Sequence, residues 1–314
     1  MRTLPRILPR DRARPTRDTS GAPCLLVGRV ECPVPFVSRP KPAFAPAQVR
    51  LGPCCGPVGF IELLEIREPH LPVCLALARR WTGLARVITH PESLVPLLGG
   101  RPELMVTTWA GDDGTAPDLR EELDWASVFA LGPGLGAHAW GRALFLRLTQ
   151  EGQALDRPMV VDADGLNLLA EASPPLRSSA WILTPHPGEA SRLLQIPTAQ
   201  VEADRFAAAR AIQQRYGGVV LLKGAGTVIT DGAKVYVVRT GNPGMASGGM
   251  GDALTGIITG LLAQGVPLLD AATLGAAVHG EAGNRAAAQD GERGLLASDL
   301  FPHLRHLVNL RAGY

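Results

Sequence analysis

Apolar and polar positions follow two different patterns along the 314-residue chain. From about Leu84 onward, short apolar runs alternate with longer segments in which apolar residues recur every three or four positions. The short runs predict buried β-strands, and the longer segments predict amphipathic helices. Strands that alternate with helices form a mostly parallel central sheet with helices on both faces. The pattern therefore predicts a three-layer α/β fold.

The individual elements can be placed from the same runs. Strands are predicted at Leu84–Thr89, Met105–Thr108, the end of Trp125–Leu131, Met159–Asp164, Trp181–Thr184 and Val219–Lys223. Helices are predicted at Glu92–Leu98, in the segment that ends at Leu148, and at Leu166–Glu171, Glu189–Leu194, Asp204–Tyr216 and Ala253–Ala263. Thr227–Thr230 and Lys234–Val238 flank Asp231-Gly232, which predicts a two-residue hairpin and some antiparallel character at one side of the sheet.

The first eighty residues show neither periodicity for long. Thirteen of the 27 prolines and all five cysteines precede residue 75, and no two cysteines have zinc-ligand spacing. Residues 1–60 carry ten Lys and Arg against three Asp and Glu, whereas the rest of the chain carries 21 against 26. We therefore expect residues 1–83 to be an atypical Arg/Pro/Cys-rich segment, disordered or altered in reading frame, and residues 84–314 to form the domain.

The overall composition excludes several classes of protein. Hydrophobic residues make up 46% of the chain and charged residues 19%, which is typical of a globular protein. A net charge of +2 gives no indication of binding to nucleic acid or to an anionic membrane. The apolar stretch Ala253–Val278 contains Gln264, Pro267 and Asp270, so it predicts two buried helices rather than a membrane span. Prolines interrupt the Arg-rich first twenty residues, which argues against a targeting helix, and we expect a cytoplasmic protein.

The segment with the sharpest chemistry is rich in glycine and runs directly into a predicted helix. It reads Gly241-Asn-Pro-Gly-Met-Ala-Ser-Gly-Gly-Met-Gly-Asp252. Several backbone N–H groups of such a loop, together with the positive end of the helix dipole, would suit a phosphate. The carboxylate of Asp252 could then take a proton from a substrate hydroxyl. The alternative interpretation is that Asp252 only caps the helix.

Three further segments follow predicted strands, where open α/β sheets bind their ligands. Lys223-Gly224-Ala225-Gly226-Thr227 would suit a nucleotide phosphate or ribose, although an ordinary lysine at a tight turn is an equal alternative. Gly132-Pro-Gly-Leu-Gly136 fits a dinucleotide fingerprint only loosely, so we interpret it as a loop that approaches a ligand closely. His186 lies between two prolines at another strand end, which favours a binding role over a structural one.

Two carboxylates at a further strand end are weak candidates for a metal site. Asp162 and Asp164 follow the strand that begins at Met159, and carboxylates in such a position could hold Mg²⁺ or a polar ligand. The alternative is that Asp164 caps the next helix. Both interpretations remain open at this point.

Taken in order, these segments resemble one enzyme family, the ADP/ATP-dependent NAD(P)H-hydrate dehydratases. The resemblance rests on the loop ending at Gly136, Val-Val-Asp-Ala-Asp-Gly-Leu-Asn167, Thr-Pro-His-Pro-Gly-Glu189, the Lys223 turn and the loop ending at Asp252. Gly294-Leu-Leu-Ala-Ser-Asp-Leu300 agrees with it, and the likeness covers about Leu84 to Asn309. It implies a ribokinase-like fold and a cytoplasmic enzyme, commonly a homotetramer, that repairs hydrated nicotinamide cofactors.

The resemblance also implies a mechanism and site residues. ADP and Mg²⁺ would phosphorylate the ring hydroxyl of the S epimer of NADHX or NADPHX, after which phosphate leaves and NADH or NADPH is restored, with AMP as co-product. Asp252 would be the base. Nucleotide would lie on Lys223, Gly224, Ala225, Gly226, Thr227, Gly248, Gly249 and Gly251, and the hydrated cofactor on Gly134, Gly136, His186 and Asp252.

The chain departs from the family at its beginning. Members start this domain with a strand, a glycine-rich loop and a long alanine-rich helix, and many carry a fused epimerase domain, but residues 1–80 resemble none of these. We hypothesise that this stretch is read in a different frame from the ancestral gene. Two alternatives to the dehydratase therefore stay open. The first is a small-molecule kinase of the ribokinase superfamily, and the second is a nucleotide-binding remnant without activity.

Overall fold

The computed structural model describes residues 84–309 except 101, 103, 112–118 and 155, together with two short strands earlier in the chain. All five cysteines lie outside the described residues. Within the described part, no helix is long and apolar enough to cross a lipid bilayer.

Ten strands form two sheets in the described part of the chain. They are β1 (Val27–Arg29), β2 (Leu63–Leu64), β3 (Arg86–Thr89), β4 (Met105–Thr108), β5 (Phe129–Leu131), β6 (Met159–Val161), β7 (Trp181–Leu183), β8 (Val219–Leu222), β9 (Thr227–Thr230) and β10 (Val235–Val238). The larger sheet has the order β1-β10-β9-β8-β7-β6-β5, parallel from β5 to β8 and antiparallel from β8 to β1. The smaller sheet, β2-β3-β4, is parallel.

Ten α-helices accompany these strands in the same part of the chain. They are α1 (Leu94–Gly100), α2 (Arg120–Trp125), α3 (Ala139–Ala154), α4 (Ala163–Glu171), α5 (Pro187–Leu194), α6 (Thr198–Ala203), α7 (Arg205–Tyr216), α8 (Met250–Ala263), α9 (Leu268–Asp290) and α10 (Leu300–Val308). Pro187 is the first residue of α5, where the missing proline N–H would have no helical partner, and Pro267 is the N-cap residue that precedes α9.

Strand residues alternate between two hydrophobic clusters, one on each face of the larger sheet. Phe129, Met159 and Trp181 face a cluster that includes buried residues of α3, α4, α5 and α7. Val160 and Ile182, one residue along β6 and β7, face a second cluster built from α8, α9 and α10. Because successive strand side chains point to opposite faces, this alternation buries both faces of the sheet. The predicted α/β fold with helices on both sides is confirmed.

Several predicted elements need correction. The turn between β9 and β10 has four residues and not two, because Thr230 pairs with Val235 and the Asp231 carboxylate accepts hydrogen bonds from the amides of Ala233 and Lys234. The apolar run from Trp125 begins in a helix, since Trp125 ends α2. The hydrophobic pattern predicts no element at the positions of helices α2, α6 and α10.

Two short strands lie in the early part of the chain, where the hydrophobic pattern predicts no element. β1 pairs antiparallel with β10, and β2 pairs parallel with β3. A strand of two or three residues at the edge of a sheet needs only unpaired backbone groups of its neighbour, so it requires no hydrophobic periodicity in its own sequence. Periodicity could not have found either strand.

Candidate active site

Three neighbouring strands end at the same edge of the larger sheet. β6 is followed by Asp162, β7 by Thr184 and then His186, and β8 by Lys223. Since β6, β7 and β8 run parallel, the residues that follow them meet at one side of the sheet. The hydrogen bonding between the strands extends into these residues, because the Thr184 amide donates to the Val161 carbonyl and the Lys223 amide donates to the Pro185 carbonyl.

A buried ion pair lies at the centre of this edge. Lys223 Nζ is 2.7 Å from Asp162 Oδ1, and the hydroxyl of Thr255 on α8 donates to Asp162 Oδ2 over 2.8 Å. Burial opposes the charged carboxylate, but the attraction of Lys223 and the hydrogen bonds from Lys223, Thr255 and Thr184 outweigh it and lower the pKa of Asp162. Asp162 therefore remains ionised. Through its contacts with Lys223 and Thr255 it connects the ends of β6 and β8 to helix α8.

Lys223 is held in its charged form by the carboxylates around it. Burial alone would lower the pKa of Lys223, but Asp162, Glu189 and Asp252 raise it above its ordinary value. Glu189 Oε2 lies 3.7 Å from Nζ, and the lysine side chain is 21% exposed. The edge thus carries a positive charge that stays in place across the neutral pH range and retains access to solvent.

His186 and Glu189 form the start of α5. His186 is the N-cap, its Nδ1 accepts the amide hydrogen of Gly188 over 3.0 Å, and Glu189 Oε2 accepts the amide hydrogen of His186 over 2.7 Å. This reciprocal capping box fixes the position of the histidine ring. Burial, Lys223 and Arg192 lower the pKa of His186, so its ring is neutral at pH 7, with the proton on Nε2.

Glu189 is a further member of the site, and it is not among the site residues predicted from the sequence. Its side chain is 7% exposed, and Oε1 lies 3.5 Å from His186 Nε2. Burial raises the pKa of Glu189 to about 7, with Lys223 lowering it and the charge of Asp162 raising it. The available signal was the spacing of His186 and Glu189, which is the spacing of a capping box.

The loop Gly132–Gly136 is held against the residues after β6. The carboxylate of Asp164 accepts the amide hydrogen of Gly136 over 2.9 Å, and Asp164 lies in the first turn of α4, whose N-cap is Asp162. Gly132 has φ +134°, and a Cβ there would collide with the carbonyl oxygen of Asp162. Only glycine allows that approach. The suggestion that Asp164 caps the helix is wrong, because its carboxylate binds the loop instead.

Asp252 is the third residue of α8. The N-cap is Gly249, with φ +80°, so the alternative in which Asp252 caps the helix is wrong. A Cβ at Gly251 would lie 3.4 Å from Lys223 Nζ and 3.6 Å from Asp162 Oδ2, which places the first turn of α8 directly against the ion pair. The charge of Asp252 contributes to the raised pKa of Lys223, so the positive end of the helix, the Lys223 ammonium and the Asp252 carboxylate lie close together.

The glycine-rich loop before α8 is supported by α9. Gly280 and Gly283 let the loop approach closely, since a Cβ at these positions would collide with Thr240 and with the Met245 side chain. The carboxamide of Asn242 accepts the Gly244 amide hydrogen over 3.0 Å, and Ser247 Oγ donates to the Leu295 carbonyl over 3.1 Å. The loop conformation is thus set by its neighbours before any ligand binds.

His279 on α9 lies beneath the start of α8, although nothing in the sequence pattern singled it out. It makes a hydrogen bond with the backbone of Met250, the first residue of α8. Burial lowers the pKa of His279 to about 4, which the hydrogen bond opposes and Lys223 reinforces. The ring is therefore neutral at pH 7 and adds no charge to the site.

The carboxylates suggested as weak Mg²⁺ candidates already have protein partners. Asp162 is bound by Lys223 and Thr255, and Asp164 by Gly136 and Asn167. Among the described residues, no group of three or more His, Cys, Asp and Glu side chains is arranged to hold a metal ion. These residues do not fit a metal centre made of protein ligands alone.

A mixed sheet covered by helices on both faces, with β5–β8 parallel, a glycine-rich helix start and an acidic residue in the first turn of that helix, defines the class of ribokinase-like α/β proteins. The NAD(P)H-hydrate dehydratase family model matches residues 73–305, and the chain belongs to that family. The match begins earlier than the domain boundary expected at residue 84. An ADP/ATP-dependent NAD(P)H-hydrate dehydratase from Bacillus subtilis, co-crystallized with ATP/Mg²⁺ and soaked with CoA, superposes with a TM-score of 0.69 at 25% identity, over 80% of this chain and 90% of that one.

Curated relatives agree with the family. The bifunctional NAD(P)H-hydrate repair enzyme of Vibrio cholerae is 50% identical over 234 residues, which is 74% of this chain and 45% of that protein. The ADP-dependent (S)-NAD(P)H-hydrate dehydratase of Neisseria meningitidis is 40% identical over 247 residues, which is 76% of this chain and 80% of that protein. The chain thus spans less than half the length of the bifunctional relatives it matches.

Proposed function

We propose that this chain catalyses the ADP-dependent dehydration of the S epimers of NADHX and NADPHX, regenerating NADH and NADPH and releasing AMP and phosphate. The observation that carries the proposal is the position of Asp252, in the first turn of α8 and beside the Lys223–Asp162 ion pair. A base, an anion-binding helix start and a fixed cation border one space there. Phosphoryl transfer to a hydroxyl needs these three groups.

Each group has a part in the reaction. The oxygen of the ring hydroxyl attacks the terminal phosphorus of ADP, and AMP leaves. The Asp252 carboxylate accepts the proton of that hydroxyl. The amides of Gly248–Gly251 and the positive end of α8 stabilise the charge on the transferred group. Phosphate then leaves the ring, the ring loses a proton, and the double bond returns. Because the pKa of Lys223 is raised, its positive charge persists throughout.

The two substrates are assigned to opposite sides of this space. Lys223–Thr227 and Gly251 hold the adenine nucleotide, and Gly134, Gly136 and His186 hold the hydrated cofactor. The positions of His186 and Gly136 support that assignment, since the backbone amide of each donates to a carboxylate of the same edge, Glu189 and Asp164 respectively. We place Mg²⁺ on the nucleotide phosphates, because Asp162 and Asp164 are bound to protein groups.

The relatives support the choice of substrates. The name of the Neisseria protein specifies ADP and the S epimer, and the Bacillus structure was obtained with ATP/Mg²⁺. We propose ADP as the phosphoryl donor of this chain, and we extend the proposal to a cytoplasmic homotetramer that binds neither nucleic acid nor membrane. The small net charge of +2 is consistent with those last two points.

The test uses the purified full-length protein with NADHX, Mg²⁺ and either ADP or ATP, and follows the return of NADH absorbance. Asp252→Asn should lower the rate by at least about a thousandfold, since it removes the base. Asp270→Asn is the matched control, because Asp270 is the exposed third residue of α9 just as Asp252 is the third residue of α8. Full activity in Asp252→Asn would contradict the proposed base.

The same assay separates the other candidate functions. A small-molecule kinase would transfer phosphate from nucleotide to an alcohol without restoring NADH. A nucleotide-binding remnant would bind ADP, be folded, and show no turnover with either nucleotide. Recovery of NADH with ATP alone would change the proposed donor and leave the reaction type intact.

For the part of residues 1–83 that precedes the family match at residue 73, we propose a reading frame that differs from that of the ancestral gene, with the activity carried by the domain that follows. The imbalance of Arg, Pro and Cys in this segment supports the proposal. The coding nucleotide sequence tests it directly. An upstream alternative frame that encodes a strand, a glycine-rich loop and an alanine-rich helix would agree with it, and the absence of such a frame would refute it.

A further inference from the structure

One arginine side chain donates hydrogen bonds to most of the backbone carbonyls in the turn after β8. Arg205 is the first residue of α7, and its Nη1 donates to the carbonyls of Ala225 (2.8 Å) and Gly226 (3.1 Å). Its Nη2 donates to the carbonyls of Leu222 (3.1 Å) and Lys223 (3.2 Å). Four carbonyls from five consecutive residues thus converge on one planar cation, which is the geometry that a guanidinium fork favours.

Glycine at position 224 makes this arrangement possible. Gly224 has φ +147°, and a Cβ there would lie 2.8 Å from Arg205 Nη2. Its own carbonyl accepts a hydrogen bond from the Thr227 hydroxyl over 3.2 Å. Side chains therefore bind every backbone carbonyl from Leu222 to Gly226, four of them through Arg205.

The orientation of the amides follows from that of the carbonyls. In a trans peptide the C=O and N–H bonds point in opposite directions, so fixing the Lys223 and Ala225 carbonyls turns the amides of Gly224 and Gly226 away from the guanidinium. The preceding peptide agrees, because the Leu222 carbonyl faces Arg205 while the Lys223 amide donates to the Pro185 carbonyl. Backbone N–H groups that point to the same side of a turn can bind an anion together.

We propose that Arg205 is a positioning residue that pre-forms the turn Lys223–Thr227 for an anionic nucleotide, and that the amides of Gly224 and Gly226 contact its phosphate. The inference rests on the proposed function, in which this turn binds ADP. Arg205 lies on the side of the turn opposite the amides, so it acts through the backbone and does not touch the ligand. Two glycines give the free turn many conformations, and the guanidinium selects one before binding.

Binding is measured first, by calorimetric titration of ADP into wild type, Arg205→Lys and Arg205→Gln. We expect the Kd for ADP to rise about tenfold or more in both variants, because lysine keeps the charge but not the fork. The matched controls are Arg210→Lys and Arg210→Gln, further along the same helix, whose Kd should stay within about twofold. Wild-type affinity in folded Arg205→Lys and Arg205→Gln would overturn the proposal.

Kinetics distinguish positioning of the nucleotide from a general structural role. In the Arg205 variants the KM for ADP should rise about tenfold, while kcat at saturating ADP and the KM for NADPHX stay within about twofold. Equal changes in both KM values together with a fall in kcat would overturn the assignment. The binding titration also separates this inference from the proposed function, since a wild type that binds ADP without turnover refutes the function but not the role of Arg205. A wild type that binds no adenine nucleotide refutes both.

Amide hydrogen exchange of the wild-type protein needs no variant. It tests the contact between ADP and the turn Lys223–Thr227 even if the variants do not fold. Saturating ADP should slow exchange in the peptide that covers Lys223–Thr227. The peptide covering β10, a strand of the same sheet, should change little and serves as the internal control. Unchanged exchange at the turn in the presence of bound ADP would overturn the proposed contact.

Discussion

The ion pair between Lys223 and Asp162 offers the sharpest test of how the site is held together. Asp162→Asn removes one charge of a buried pair while it keeps the size of the side chain and a partner for the Thr255 hydroxyl. Breaking such a pair ordinarily costs about 3–5 kcal/mol, because the remaining charge is buried without compensation. Here the remaining charge is the Lys223 ammonium, 21% exposed.

Glu189 should reduce that cost. Its carboxylate lies 3.7 Å from Lys223 Nζ, and its pKa of about 7 reflects in part the charge of Asp162. Once Asp162 is neutral, Glu189 ionises readily at pH 7 and pairs with the lysine. We therefore expect Asp162→Asn to lose only about 2–3 kcal/mol of unfolding free energy, and Asp162→Asn with Glu189→Gln to lose the full 3–5 kcal/mol or so.

Urea unfolding at pH 7, followed by far-UV circular dichroism and tryptophan fluorescence, measures these differences from the transition midpoints at constant slope. Lys223→Met together with Asp162→Asn is the compensating control, since a neutral pair leaves no buried charge. That double variant should be more stable than the sum of the single changes predicts, by about 2 kcal/mol or more. Additive effects, or a loss below about 0.5 kcal/mol in Asp162→Asn, would refute the reasoning.

Three further predictions follow from the same region. Folded Glu189 keeps a proton that the unfolded chain releases above pH 4.5, so wild-type stability should fall between about pH 4.5 and 7 by on the order of 3 kcal/mol. Glu189→Gln should remove that slope in urea titrations across this range. Gly132→Ala should cost about 3 kcal/mol or more in thermal unfolding, whereas Gly99→Ala, with no atom within 4 Å of its Cβ, should cost nothing measurable. Asp164→Ala frees the Gly136 amide and should raise the KM for NADPHX about fivefold at unchanged KM for ADP; equal effects on both would contradict the assignment of the loop.

The sequence carried enough information to predict the layers of the fold but not its exact element boundaries. Buried runs such as Val219–Leu222 stand out because both faces of a parallel strand are apolar. The turn after Thr230 was misjudged because Asp231 binds two following amides and so stabilises a longer loop than the Asp-Gly pair suggests. Helix α10 contains Pro302 in its first turn, which weakens the helical pattern although proline is tolerated there.

In the candidate site, too, the positions of some residues could be predicted from the sequence, but their contacts could not. Residues at strand ends, such as Asp162 and Lys223, could be placed on one edge from the α/β pattern alone, since parallel strands end together. Their pairing at 2.7 Å depends on the packing of α8 over the sheet, which no local pattern encodes. Arg205 is a stronger example, because it opens a helix 17 residues before the first carbonyl it binds and resembles any exposed arginine in the sequence. The proposed role of Arg205 therefore rests on its tertiary contacts and not on a sequence motif.

The burial of Lys223 has a practical consequence for amine chemistry. The chain has three lysines, and Lys234 in the turn before β10 is exposed. Acylating reagents attack only the neutral amine, and the carboxylates around Lys223 keep its pKa above the usual value for a lysine. Lys234 should therefore acylate quickly at mildly alkaline pH while Lys223 remains unmodified. The rate at which Lys223 is acylated then reports how often the ion pair separates. Mass spectrometry can measure this rate relative to that of Lys234 in the same molecule.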